Sequence, residues 1–390
     1  MEKERDETLQ ERKGAKRTHQ NTYLAEDSKP WANLPHEIIT EILSRLPVKT
    51  LLQFRCVCKS WCSLISNPQF VKTHLNLSTN EQEYAHYRII LSSVRPHFNL
   101  KSCSLYSSLY EPSVDAVELD YPMKNPHNSV WIVGSCNGLI CIAIEEDDIF
   151  IWNPSTRKSK RLPNSGMRMR YGCFMIYGFG YDDSTDDYKV LGIFCVVGNV
   201  GSYETEVKIY TLRTDSWRRI QDFPCGIPLD DSGKYANGAL HWAASCEMGS
   251  NYSWVIVSFD LAKETYGEVA QPNYGGSVSD FTLGILGGCL CVVCTYIGTH
   301  ADVWVMKEYT VKDSWTKLVT IPYLTGLPQY PMPLCISKND EILTEFGSSL
   351  VIYNPKNNIF RYPLIHNFQA YLEVDTYVES LVSPIADNGG

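Results

Sequence analysis

Trp152-Asn-Pro-Ser-Thr-Arg-Lys-Ser159 sets a pattern that the chain uses four more times: Tyr210-Thr-Leu-Arg-Thr-Asp-Ser-Trp217, Phe259-Asp-Leu-Ala-Lys-Glu-Thr-Tyr266, Tyr309-Thr-Val-Lys-Asp-Ser-Trp315 and Tyr353-Asn-Pro-Lys-Asn-Asn-Ile-Phe360. Each has an aromatic residue, a polar turn, and a second residue six or seven places on. Trp152 and Tyr353 lie 201 residues apart in four steps, a mean near 50, which is the period of a four-stranded propeller blade. Hairpin signals precede several units, as Asn137-Gly138-Leu139, Asn237-Gly238-Ala239-Leu240 and Gly287-Gly288-Cys289-Leu290. The residues before each turn are expected to form a blade's third strand and those after it the fourth. Asp and Ser of the two Asp-Ser-Trp triplets should bond the turn backbone while Trp packs between blades.

Five units do not use up the chain. Tyr87–Val94 and Cys103–Leu109 at one end and Tyr377–Val382 at the other read as strands that combine into a sixth blade, so that both ends close the ring and remove open sheet edges. A composition of 12% aromatic residues with 25 Gly suits such pleated surfaces joined by tight turns. The expected architecture is an all-β, kelch-like propeller of six blades over residues 76–384, with a flexible end at 385–390.

Upstream the period changes. After Asn33-Leu34-Pro35, Ile38, Ile39, Ile42, Leu43 and Leu46 recur at helical spacing until Pro47. A second short helix carries Val48, Leu51, Leu52 and Phe54, and a third carries Val57, Cys58, Trp61, Leu64 and Ile65 before Asn67-Pro68 stops it. Three such helices hold too little core to be stable alone, so this unit needs a partner or a neighbouring domain. Residues 1–30 alternate charges with almost nothing apolar to bury and are expected to be disordered. Their basic run Arg12–Arg17 reads as a solvated cluster or, alternatively, a nuclear address.

The run Leu34-Pro-His-Glu-Ile-Ile-Thr-Glu-Ile-Leu-Ser-Arg-Leu-Pro-Val-Lys-Thr-Leu-Leu-Gln-Phe-Arg-Cys-Val-Cys-Lys-Ser-Trp-Cys-Ser-Leu-Ile-Ser-Asn-Pro-Gln-Phe70 resembles an F-box of the plant type over residues 31–75. The phrases Gly134-Ser-Cys-Asn-Gly-Leu139 with Trp152-Asn-Pro154, and Tyr177-Gly-Phe-Gly-Tyr-Asp182 with Asp187-Tyr-Lys-Val190, resemble the kelch-type F-box-associated domain. The resemblance implies a small α-helical F-box followed by the propeller. It also implies the substrate receptor of an SCF-type ubiquitin ligase: the F-box docks a Skp-type adaptor, which brings cullin and RING subunits, and the propeller binds an unidentified protein target. The alternatives are an adaptor-bound anchor acting without ubiquitination, or a propeller enzyme. Apolar excess on so small a unit assigns adaptor binding to Leu34, Pro35, Ile38, Ile39, Leu43, Leu46, Pro47, Leu51 and Val57. The F-box core is assigned to Ile42, Leu52, Phe54, Trp61, Leu64 and Ile65. Target-binding residues stay open.

Charge and chemistry narrow the rest. Residues 31–75 carry 5 basic and 2 acidic residues, whereas residues 76–390 carry 23 and 35. The acidic domain repels a phosphate backbone, so no nucleic-acid partner is expected. The 14 Cys lie in apolar runs and no apolar signal core opens the chain. The reading is therefore a reducing compartment, cytoplasm or nucleus, with cysteines mostly as small core residues and the sequons at Asn76 and Asn251 unused. Phe281–Ala301 is uncharged but punctuated by glycines, which reads as a buried hairpin and not a membrane span. Gly-x-Ser-x-Gly, His-Glu-x-x-His and phosphate-loop motifs are absent. Cys289, Cys291 and Cys294 lack a second ligand pair, the acid runs 145–148 and 182–187 read as solvated hairpin tips, and His241 reads as a core or rim residue. No catalytic residue, metal or cofactor is expected.

Overall fold

The computed structural model describes residues 34–385 except 82, 95–96, 146, 168–171, 198–202, 230–231, 246–253, 276–277, 279, 297, 324–329 and 369–372. The tail 1–30 with its Arg12–Arg17 run, the sequon at Asn251 and residues 386–390 lie outside these. Four helices come first, α1 (His36–Leu43), α2 (Val48–Phe54), α3 (Lys59–Ser66) and α4 (Pro68–Thr79), and strands dominate thereafter.

Among the described residues, six four-stranded blades follow, five of them meanders. Blade 2 comprises Val130–Cys136, Leu139–Ile144, Asp148–Asn153 and Lys158–Arg161. Blade 3 comprises Cys173–Asp182, Asp187–Val197, Tyr203–Thr211 and Ser216–Arg219. Blade 4 comprises Ser232–Ala236, Ala239–Ser245, Trp254–Asp260 and Thr265–Val269, and blade 5 Asp280–Leu286, Cys289–Tyr296, His300–Met306 and Trp315–Pro322. Blade 6 comprises Pro331–Ile336, Ile342–Phe346, Ser349–Asn354 and Ile359–Arg361. Blades 3 and 4 are joined at their innermost strands by a two-residue parallel bridge, Ser232↔Tyr177 and Gly233↔Gly178.

Blade 1 is built from both ends of the ring. Tyr87–Ser93, Asn99–Ser104 and Val117–Glu118 supply its outer strands, and Glu373–Val378 is the innermost, in antiparallel register from Tyr87↔Val378 to Ser92↔Glu373. The closing strand thus ends at Val378, earlier than the expected Val382. Residues 379–382 instead run across to blade 2, where Asn153 Nδ2 donates to the carbonyls of Ser380 (3.0 Å) and Val382 (2.7 Å). Gly138 is obligatory beside them: at φ 79°, an added Cβ would stand 2.2 Å from Ser380 Oγ. The expected strand Cys103–Leu109 also stops early. Ser104 Oγ accepts from Ser107 N (3.1 Å) and starts a helix, α5 (Leu105–Tyr110), whose Leu105 and Leu109 are buried four residues apart.

The repeated turns share one geometry in four of the five units. At the end of the third strand, Asn153, Asp260 and Asn354 accept from backbone N–H groups two or three residues on. Four residues beyond the strand end, Arg157, Asp215, Glu264 and Asn358 adopt φ of 52–60°. Tyr210 and Tyr353 hydroxyls span their turns to Asp215 (2.8 Å) and Asn358 (3.1 Å). The Tyr309 unit departs from this, because Tyr309 lies beyond its strand and a single 3-10 turn, Lys312–Ser314, intervenes. Trp217 and Trp315 do join blades, each indole N–H donating 2.7 Å to a carbonyl of the preceding blade's exit, Pro163 and Ala270. Ser314 Oγ bonds the turn backbone as expected, whereas the Asp215 carboxylate takes Lys160 of blade 2 (2.5 Å) in addition to Tyr210.

The acid run at 182–187 is more than a solvated tip. Asp182 is buried, caps its own turn through Ser184 and Thr185, and pairs with buried Lys189 (2.8 Å), which also reaches Glu264 of blade 4 (3.1 Å). Burial works against the Asp182 carboxylate, but these hydrogen bonds outweigh it and hold the group well below its usual range. Cys291 and Cys294 pack on opposite faces of their strand, and burial pushes both thiols up to about 12. Cys225 is an exception among the cysteines, being joined in a disulfide. Phe281–Ala301 is the expected hairpin, turned by Gly287-Gly288, and no helix among the described residues is long and apolar enough to cross a membrane.

His241 is fully buried, Nδ1 donating to the Lys234 carbonyl (3.1 Å) and Nε2 accepting from the Tyr309 hydroxyl (2.7 Å). Burial pulls its pKa from 6.5 down to about 4. The unfolded chain therefore binds the proton first, and stability present above pH 6.5 is lost as pH falls toward 4, by up to about 3 kcal/mol. Denaturant titrations across this window should show a shallower pH dependence for His241→Asn than for the parent. An identical slope would contradict the neutral, buried imidazole. Truncation after residue 370 removes the closing strand and should abolish cooperative unfolding in the thermal melt.

Candidate docking surface

Proline punctuates the helical unit. Pro35 stands at the N-cap of α1, its carbonyl accepting from Ile38 N and Ile39 N, and Pro47 separates α1 from α2 and leads the latter. Asn67-Pro68 ends α3 as expected and also starts a further helix: the Asn67 side chain accepts from Gln69 N and Phe70 N, and α4 continues to Thr79. The signal was in the sequence, since an N-cap Asn before Pro at the first helical position favours initiation.

The core of the unit is Leu43, Val48, Leu51, Ile65, Phe70 and, from the far end of the chain, Leu381. Ile39, Leu46, Leu52, Phe54, Trp61 and Leu64 pack around it half-buried, with the Phe54 and Trp61 rings 5.3 Å apart. His74 of α4 bonds the Leu46 carbonyl (2.9 Å), and burial lowers its pKa. Lys72 pairs with Asp186 of blade 3 (2.7 Å), Tyr84 donates to the Ile336 carbonyl of blade 6 (2.9 Å), and Glu83 meets Lys338 (2.8 Å). All these contacts fall at the ends of inner strands that carry the short hairpin turns. The helical unit therefore sits on one face of the ring.

Three assignments change. Leu43 and Leu51, expected to face a partner, are 2% and 0% exposed, because their helix faces point at α3, α4 and Leu381. Ile42, expected in the core, is 49% exposed. It shares the outer side of α1 with Ile38 (46%), Leu34 (52%) is exposed just before the helix, and Val57 protrudes (61%) from the turn between α2 and α3. Pro35 and Pro47 are exposed as well, and Ile39 and Leu46 lie half-buried at the margin. Exposed Cys56 and Cys58 flank Val57, and hydrogen bonds from Ser60 and the Trp61 backbone lower the Cys58 thiol pKa.

An exposed apolar row on a small helical unit, set on a β-propeller, defines a docking module coupled to a binding scaffold. Family models agree on both parts: the F-box domain matches residues 31–73 and the F-box associated beta propeller domain residues 84–384. The chain belongs to the F-box proteins that carry this associated propeller. An F-box/kelch-repeat protein of Arabidopsis thaliana is 39% identical over 362 residues, 90% of this chain and 96% of that protein. The Arabidopsis F-box protein CPR1 is 34% identical over 351 residues, covering 83% and 82%. The F-box domain implies binding of a Skp-type adaptor.

Replacing Leu34 and Pro35 together by Ala should weaken adaptor binding about a hundredfold while leaving the melting curve unchanged, since both side chains are exposed. Leu381→Ala should do the reverse, destabilising the helical unit by about 2–3 kcal/mol in chemical denaturation with the docking row intact.

Proposed function

We propose that the chain is the non-catalytic substrate receptor of an SCF-type ubiquitin ligase, acting in the cytoplasm or nucleus. The helical unit holds a Skp-type adaptor and, through it, cullin and RING subunits, and the ring captures a protein target for ubiquitination and proteasomal degradation. The observation that carries this reading is the apolar row Leu34, Ile38, Ile42 and Val57, which stays exposed although the ring already completes the core of the unit. An unpartnered row of that kind needs a protein partner. Tethering is the whole contribution: the thioester chemistry belongs to other subunits, and the receptor raises the local concentration of a target lysine.

The face opposite the helical unit is the surface assigned to the target. Among the described residues it carries parts of the longer blade-to-blade connections, 162–167, 220–229, 270–275 and 362–368, whereas the near face is occupied by short turns and the helices. Loops on a rigid scaffold suit recognition. The propeller's acidic excess would hasten encounter with a basic partner.

The reading is tested with the full-length Leu34→Ala/Pro35→Ala variant in cells. It should still capture the target yet lengthen its half-life, because delivery stops while binding continues. A target lifetime that is the same with both forms would favour an adaptor-bound anchor without ubiquitination, and turnover of a small molecule by the purified ring would favour an enzyme.

A further inference from the structure

Val57, the most exposed large apolar side chain of the helical unit, stands two residues from Arg55 and two from Lys59. Among the described residues neither cation has an ion pair or hydrogen bond, and neither does Lys49 on the exposed side of α2. Other cations of the unit are already answered, Arg45 by Glu41 and Lys72 by Asp186. Two of these unpaired cations thus flank Val57, at the end of α2 and the start of α3.

A partner that covers Val57 must also meet Arg55 and Lys59. Against an apolar surface without acceptors, both cations would lose hydration with nothing in return, a cost that opposes docking. We infer that Arg55 and Lys59 recognise an acidic rim on the adaptor: the groove that takes Val57 is bordered there by Asp or Glu side chains. This rests on the adaptor reading above and adds to it which charge the partner presents and where. Leu34, Ile38, Ile42 and Val57 hold the complex together, while the cationic turn steers its formation and orients the adaptor end to end. A second copy of this chain, whose larger domain is acidic, is the competing occupant.

The test uses the full-length chain and a purified plant Skp-type adaptor. Arg55→Gln/Lys59→Gln, checked for an unchanged circular dichroism melt, should associate about tenfold more slowly at low salt, with dissociation changed less than about threefold. Its association rate should also lose most of its dependence on ionic strength. Zero-length carbodiimide coupling should join Lys59 of the parent to adaptor carboxylates. Association rate and salt dependence equal to the parent's, or no coupling of Lys59 to an adaptor carboxylate, would overturn the inference while leaving adaptor docking intact. A parent dimer that falls apart in the Gln variant would assign the patch to self-association and overturn it too. If Leu34→Ala/Pro35→Ala binds the adaptor like the parent, or the parent does not bind it at all, the docking reading itself fails and the inference with it.

Discussion

Wedge-shaped sheets arranged around an axis leave two raw edges unless the last meets the first. In this chain the six pairings Tyr87↔Val378 to Ser92↔Glu373 join them. Every unpaired backbone group left at such an edge would either cost its burial or invite another strand. The remaining contacts depend on that joint. It sets where residues 379–382 leave the ring, and so brings Ser380 and Val382 under the Asn153 amide and Leu381 into the helical core. Gly138 leaves room for this strap, which explains physically why Asn137-Gly138 and Trp152-Asn153 occur together.

The charged groups on the two sides of the molecule do different work. Within the ring they knit blades: Lys189 reaches Asp182 in its own blade and Glu264 in the next, and Lys160 of blade 2 meets Asp215 of blade 3. A buried pair such as Lys189 with Asp182 is costly to break from one side, so it enforces one arrangement of neighbouring blades more than it adds net stability. On the helical unit, by contrast, Arg55 and Lys59 have no ion pair or hydrogen bond from their side chains among the described residues. Charge there is available for recognition.

Features with a local cause were legible in the sequence. The Asn-Gly and Gly-Gly pairs at 137, 237 and 287 demanded left-handed backbone, and all three are tight hairpin turns. Aromatic-turn periodicity marked five of the blades, because each turn's chemistry is complete within about eight residues, and the terminal strands marked the sixth. Features decided by distant packing were not legible. Helical period alone could not tell Ile42 from Leu43, since which one is covered depends on α3, α4 and Leu381. The helix at Leu105–Tyr110 was hidden for a similar reason: Leu105 and Leu109 pack on the core shared with Cys335 and Leu343 of blade 6. Arg55 and Lys59 look like any solvated charges until the paired ones are subtracted.

The strap also fixes an order of events during synthesis. The helical unit leaves the ribosome early, yet its core lacks Leu381 and the ring lacks its innermost closing strand until the final stretch of the described chain emerges. Blades 2 to 6 can form as they appear, while the first blade waits with an exposed edge. A nascent or prematurely terminated chain would thus have neither a finished docking unit nor a closed ring, and both are completed in one late step. Assembly is in this sense self-timed: the residues that seal the scaffold are the same ones that complete the docking unit.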